Sequence, residues 1–238
     1  MTTVRFVLAT GEQVPGIDVA RMRALDRSMI EDFHIELGQM MENAGRNLAD
    51  LARSLFSPQS VTVLAGPGGN GGGGLVAARH LHNRGTAVTV TLASSRAAPV
   101  TAHQLDVVER LGIPVREEPS TADLVVDALI GYGLSGDPGG RFAELVDWAN
   151  AAPAPVLALD TPSGLDLTAG VPATPCVQAE ATMTLALPKV GLGHAAAAGA
   201  LYLADISVPP ALFAAMGLEV PVLFRSGSVV PVRAEKTG

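Results

Sequence analysis

The sequence predicts an α/β fold in which a mostly parallel sheet is covered by helices on both faces. Three observations predict it. From Ser60 onward, short apolar and β-branched runs alternate with segments of helical periodicity, the pattern of strands joined by crossover helices. Hydrophobic residues make up 48% of the chain but aromatics only 4%, so the core is built of Val, Leu and Ala, as in sheets buried on both sides. Polar and glycine-rich segments follow directly after the strand-like runs, where open α/β sheets bind their ligands.

Taken in order, Thr2 to Ala9 reads as an edge strand or an arm. Met22, Leu25 and Met29 recur at helical spacing, and Leu37, Met41, Ala44, Leu48, Leu51 and Leu55 mark a second helix. Gly45 interrupts that second helix in Asn43-Ala44-Gly45, and close packing accounts for it. Strands are expected over 60–65, 87–93, 123–128, 155–160, 181–187 and 201–206, and helices over 73–84, 101–112 and 140–151. The last two strands are joined by a Gly/Ala-rich connection, 191–200, compatible with an antiparallel pair at one edge. No internal repeat or clear linker divides the chain, so residues 1–226 read as one domain. Residues 227–238 read as a frayed tail.

Composition excludes several functions. The 238 residues carry 16 Lys and Arg against 23 Asp and Glu, a net charge of −7, with pI near 5.2. No basic run with interleaved aromatics is present, so no nucleic-acid partner is expected. Cys176 stands alone, which excludes an internal disulfide and a cysteine metal cluster. The N-terminus lacks the order of a signal peptide, and no apolar run reaches the roughly 18 residues of a membrane span. A soluble, cytoplasmic protein with no membrane partner is expected.

The richest stretch is Ser60 to Gly85. A β-branched run leads into Gly66-Pro67-Gly68-Gly69-Asn70-Gly71-Gly72-Gly73-Gly74, and a helical pattern follows through Leu75, Ala78 and Leu81. Such a strand, glycine loop and helix aim bare N–H groups and a helix N-terminus at an anion, which points to a phosphate-bearing small molecule. Gly66 to Gly71 also satisfies G-x-G-x-x-G. The strand over 87–93, however, ends in Leu92-Ala93-Ser94-Ser95-Arg96, without the acid that a dehydrogenase uses on the ribose. Arg96 leaves an NADP-linked enzyme open.

Two acids stand on apolar strands. Asp127 lies within Leu124-Val125-Val126-Asp127-Ala128, and Asp160 closes Val156-Leu157-Ala158-Leu159. A carboxylate there is costly unless it is paired, hydrogen-bonded or bound to a cation. Either acid could simply cap a nearby loop. Alternatively, one holds a cation while the other transfers protons. Asn70, Asp127 and Ser163 would supply a carbonyl, a carboxylate and a hydroxyl, hard ligands suited to an alkali or alkaline-earth ion rather than zinc. His34, His80, His82, His103 and His194 show no metal spacing and read as structural or solvated. Ser163 lacks the G-x-S-x-G of a nucleophile elbow. Lys189, in Pro188-Lys189-Val190-Gly191, is open to two readings, a phosphate contact or a surface lysine at a strand end.

Several of these motifs occur together and in order: Met41-Glu42-Asn43-Ala44-Gly45-Arg46, the glycine loop with Leu75 to Leu81, Val126 to Gly136, Leu159 to Asp166, Thr184 to Leu192, and Tyr202 to Ile206. Over residues 20–210 the chain resembles the YjeF N-terminal domain, the NAD(P)H-hydrate epimerases. The resemblance implies a Rossmann-like three-layer α/β/α sandwich and a homodimer. It implies interconversion of the R and S forms of hydrated NADH and NADPH, with a separate dehydratase acting downstream. By the same resemblance, Asn70, Asp127 and Ser163 correspond to ligands of one potassium ion per subunit. Gly69, Asn70, Gly71, Gly72 and Gly73, with Gly131, Tyr132, Gly133, Leu134, Ser135, Gly136 and Asp137, correspond to substrate contacts. Asp160 corresponds to the substrate-binding acid and is the expected catalytic residue. The family loop usually reads Gly-Pro-Gly-Asn-Asn-Gly-Gly-Asp-Gly; here Gly69 replaces an Asn and Gly73 replaces the Asp. The domain family also includes non-catalytic binding modules, so a nucleotide-binding or scaffold role is the alternative.

Overall fold

The computed structural model describes residues 3–134 and 136–237. β1 (Thr3–Leu8) pairs antiparallel with the short β2 (Gln13–Val14). α1 (Val19–Glu31) is capped by Asp18, whose carboxylate accepts the Arg21 N–H at 2.7 Å, and it buries Met22, Leu25 and Met29. α2 (Leu37–Phe56) buries Met41, Ala44, Leu48 and Leu51 of the expected stripe, whereas Leu37 and Leu55 near its ends are exposed. Then come β3 (Ser60–Ala65), α3 (Gly69–His82), β4 (Ala87–Leu92), α4 (Pro99–Arg110), β5 (Val115–Arg116), β6 (Leu124–Ala128), α5 (Arg141–Ala151) and β7 (Val156–Leu159). A small hairpin, β8 (Leu165–Asp166) with β9 (Val171–Pro172), precedes β10 (Ala181–Leu185), β11 (Ala200–Ala204), α6 (Pro210–Ala215) and β12 (Val229–Thr237).

The main sheet runs β2-β1-β12-β11-β10-β7-β6-β3-β4-β5. From β11 to β5 every neighbouring pair is parallel. On one side, Leu48, Leu75 and Val108 from three helices pack on Val61, Val63 and Val126. On the other, Leu145 and Val146 of α5 pack on Leu64, Val125 and Ala158. This is the mostly parallel, helix-covered α/β fold that the alternation predicts.

Three expectations are corrected. β10 and β11 are parallel, Ala181 opposite Ala200 and Leu185 opposite Ala204. Their connection contains 3₁₀ turns at Val190–His194 and Ala196–Ala198 and is long enough to return the chain to the start of the next strand. The tail expected to fray is strand over Val229–Thr237, because β12 inserts between β1 and β11, antiparallel to both. Val230 and Val232 are buried there, whereas Pro231 argues against an internal strand when the sequence is read alone. Finally, α3 begins at Gly69 rather than Gly73, so most of the expected loop is helix. Glycine is a poor helix former, but packing overrides propensity here. A Cβ on Gly72 would stand 2.4 Å from Met41 Sδ, and one on Gly74 would stand 2.5 Å from Ala128 Cβ. The first turns of α3 lie directly against α2 and β6. Gly45 serves the same contact from α2, where a Cβ would meet Val76 Cβ at 2.4 Å, as the close-packing reading requires.

Candidate functional site at the carboxyl ends of the strands

Asp160 follows the last residue of β7 and takes φ 67, a left-handed conformation uncommon outside glycine. Its N–H donates to Met183 O at 2.7 Å, which ties this turn to β10. Its side chain is held at both oxygens. Lys189 Nζ donates to Oδ1 at 2.5 Å, and the Tyr132 N–H donates to Oδ2 at 3.1 Å. Lys189 is fully buried. Its ammonium also donates to Leu185 O at 2.8 Å and to Thr184 Oγ1 at 3.3 Å, so all three of its donors have partners. The surface reading of Lys189 does not hold, because the side chain is buried with a carboxylate of the protein as its charged partner.

Asp127 is also fully buried. Its Oδ1 accepts from Ser163 Oγ at 2.6 Å and from the Leu129 N–H at 3.2 Å, and its Oδ2 accepts the Ser163 N–H at 2.8 Å. The loop-bracing reading of this acid is met, since it ties the loops after β6 and β7 together. Burial nevertheless raises its pKa to about 6, only partly opposed by the bonds from Ser163 and Leu129. Ser163 Oγ in turn accepts the Ile130 N–H at 2.8 Å. Asn70 reaches the same region from the first turn of α3. Gly131 lies between it and Asp160, where an added Cβ would stand 3.2 Å from Asp160 Oδ2 and 3.3 Å from Asn70 Oδ1. The buried Asn70 Nδ2 has no hydrogen-bond partner among the described residues. The Asn70 Oδ1 carbonyl, the Ser163 hydroxyl and the buried Asp127 carboxylate, which has no cationic partner among the described residues, are hard oxygen donors that fit a monovalent cation by their chemistry.

A cavity of about 730 Å³ opens over Asn70, Asp160 and Lys189, while Asp127 and Ser163 lie buried behind its wall. Of the expected substrate contacts, Gly69, Asn70, Gly73, Gly131, Tyr132, Gly133, Leu134, Asp137 and Asp160 line it. Gly71 and Gly72 do not: they are packed behind it, against Gly66 O and Met41 Sδ. Gly136, at φ 73, shapes the turn of its loop without joining the wall. Ser135 lies outside the described residues. The two departures from the family loop differ in kind. A Cβ on Gly69 meets nothing within 4 Å, so that position is open. A Cβ on Gly73 would stand 2.8 Å from Leu159 Cδ2, so Leu159 fills the space where a side chain at 73 would go.

The sequence reading missed the wall supplied by α1 and α2. Met22, Asp26, Ile30, Leu37, Met40, Met41 and Ala44 all line the cavity. One signal was present. Met22, Asp26 and Ile30 recur every fourth residue, so Asp26 is an acid on an otherwise apolar stripe. Tyr132 Oη donates to Asp26 Oδ2 at 2.5 Å. Burial raises the pKa of Asp26, and burial together with the Asp26 charge raises that of the phenol. The chain entering α1 is pinned to the lysine segment: the Ile17 N–H donates to Pro188 O at 2.9 Å, and the Val190 N–H donates to Ile17 O at 3.1 Å.

A parallel sheet whose carboxyl ends carry a helix N-terminus, two buried acids and a cavity of this size defines a Rossmann-like small-molecule-binding domain. The chain belongs to the family described as YjeF-related protein N-terminus, which matches residues 37–191. It is 44% identical over 225 residues to an NAD(P)H-hydrate epimerase of Dehalogenimonas lykanthroporepellens, covering 91% of each chain. It is 37% identical to a bifunctional NAD(P)H-hydrate repair enzyme of Salinibacter ruber, covering 82% of this chain but 41% of that longer one. In fold it is similar to the crystal structure of yeast ynu0, with a TM-score of 0.80 at 21% identity, over 92% of this chain and 100% of the other. Among the described residues, no helix is long and apolar enough to cross a membrane.

Proposed function

We propose that this chain is an NAD(P)H-hydrate epimerase, interconverting the R and S forms of hydrated NADH and NADPH with Asp160 as the acid/base. The observation that carries the reading is the buried Asp160–Lys189 pair on the wall of the strand-end cavity. The extensive identity to a named epimerase supports it. Inverting the carbon that bears the hydroxyl requires the hydroxyl to leave with a proton and water to return on the other face. The lone pair of the adjacent ring nitrogen stabilises the cation between. The Lys189 ammonium passes a proton through Asp160 to the departing hydroxyl, and the returning water gives a proton back to the pair, a contribution of roughly 10²–10⁴-fold. Lys189, anchored by Leu185 O and Thr184 Oγ1, and the Tyr132 N–H keep the carboxyl in one orientation.

The N–H groups of Gly69 and Asn70 open α3 on the cavity wall and have no partner within the helix, which leaves them to take the pyrophosphate. Asn70, Asp127 and Ser163 would hold one potassium ion, whose charge steadies these loops against the dinucleotide. The homodimer, the cytoplasmic location and the downstream dehydratase belong to the same reading; sedimentation of the purified protein tests the dimer.

The activity test couples this protein to an S-specific dehydratase and follows consumption of R-NADHX. Consumption accelerates in proportion to added protein, and Asp160→Asn abolishes the acceleration. No acceleration at high protein concentration would sink the reading in favour of a nucleotide-binding module.

A further inference from the structure

Tyr132 is gripped at both ends by carboxylates from different parts of the fold. Its backbone N–H donates to Asp160 Oδ2, and its phenol donates to Asp26 Oδ2. Asp26 sits on α1, outside the stretch that matches the family. We propose that Asp26 is a positioning residue for Asp160, acting through the phenol of Tyr132 to hold the loop whose N–H fixes the second oxygen of the Asp160 carboxyl.

Three features carry this. Tyr132 is flanked by Gly131 and Gly133, so the backbone there has wide conformational freedom, and ordering it needs an anchor. The phenol is that anchor, because both partners are half-buried and a bond between them is worth more there than at the surface. Asp160 occupies a left-handed conformation, which persists only where the surroundings over-determine it. Lys189 takes one of its oxygens and the Tyr132 N–H takes the other. α1 cannot drift from this arrangement, because Ile17 is bonded on both sides of Lys189. Asp26, Tyr132, Asp160 and Lys189 therefore form one continuous chain of contacts along the cavity wall.

The proposal rests on Asp160 being the acid/base of the epimerase reading, and its test separates the two. The chain has only two tyrosines, so Tyr202→Phe leaves Tyr132 as the sole phenol. In that background the near-ultraviolet phenolate absorbance appears at markedly lower pH once Asp26→Asn is added, since the nearby charge is gone. In the epimerase assay, Asp26→Asn and Tyr132→Phe each lower kcat roughly tenfold while KM stays within about twofold. The double variant is no slower than the slower single one, because both changes break the same bond. Asp26→Glu, which retains a carboxylate, regains part of the rate. An unchanged phenol titration overturns the pair itself. Multiplying losses in the double variant, or losses carried by KM, overturn the positioning role while leaving the epimerase intact. A wild-type protein without activity overturns the epimerase reading, and the positioning role with it, while the titration still reports whether the pair exists.

Discussion

Lys189 Nζ and Asp160 Oδ1 lie 2.5 Å apart with side chains 0% and 6% exposed. A buried ion pair of this kind contributes little net stability, yet breaking it is costly, because the surviving charge is left without a partner. Lys189→Met is therefore expected to destabilise the fold by about 3–5 kcal/mol, measured by urea denaturation. Asp160→Asn/Lys189→Met recovers much of that loss while remaining inactive. A single variant as stable as wild type would show that the pair is not sealed from water.

Asp127 predicts a linked dependence on pH and cation. Its folded pKa of about 6 lies above the ordinary value of 3.8, so the folded protein binds this proton more tightly than the unfolded chain does. Its contribution to stability is present below about pH 4 and is lost as pH rises through about 6, a change on the order of 3 kcal/mol without a cation. A cation at Asn70, Asp127 and Ser163 favours the ionised form. The gain in Tm from potassium chloride over tetramethylammonium chloride is then expected to be larger at about pH 8 than at about pH 5. Equal gains at both values remove Asp127 from the ion site.

The glycines of α2 and α3 separate into two kinds. Gly74→Ala places a methyl 2.5 Å from Ala128 Cβ, and Gly45→Ala places one 2.6 Å from Gly73 O. Both are expected to cost about 1–3 kcal/mol or more, by overpacking. Gly69→Asn, which restores the usual family residue, meets nothing within 4 Å and is expected to stay within about 0.5 kcal/mol of wild type. Thermal denaturation of the three variants checks the ranking.

Deleting residues 229–238 tests the C-terminal strand. The truncation removes the partner of both β1 and β11 and uncovers the face on which Val230 and Val232 pack. Burial of those two side chains alone accounts for at least about 3 kcal/mol, so the truncated chain is expected to unfold at much lower urea concentration or to aggregate through the exposed edge. A frayed tail predicts no change.

The sequence by itself determined the α/β class, the limits of the central strands to within a residue or two, and the placement of Asp127 and Asp160 at strand ends. These are local properties: apolar runs of strand length, helical spacing, and acids where an apolar strand stops. Gly45 as a packing glycine was legible for the same reason, since it interrupts a clear stripe. The tertiary structure decided the rest. Lys189 is 29 residues from Asp160, and they meet only because β7 lies beside β10 in parallel register. Asp26 reaches Tyr132 only because Ile17 anchors α1 beside the lysine. The run from Gly71 to Gly74 reads as a loop by propensity, and α2 and β6 make it a helix by demanding surfaces without side chains. Periodicity reports which face of an element is buried; which charge, phenol or backbone stands opposite it depends on strand order and register, which no local pattern encodes.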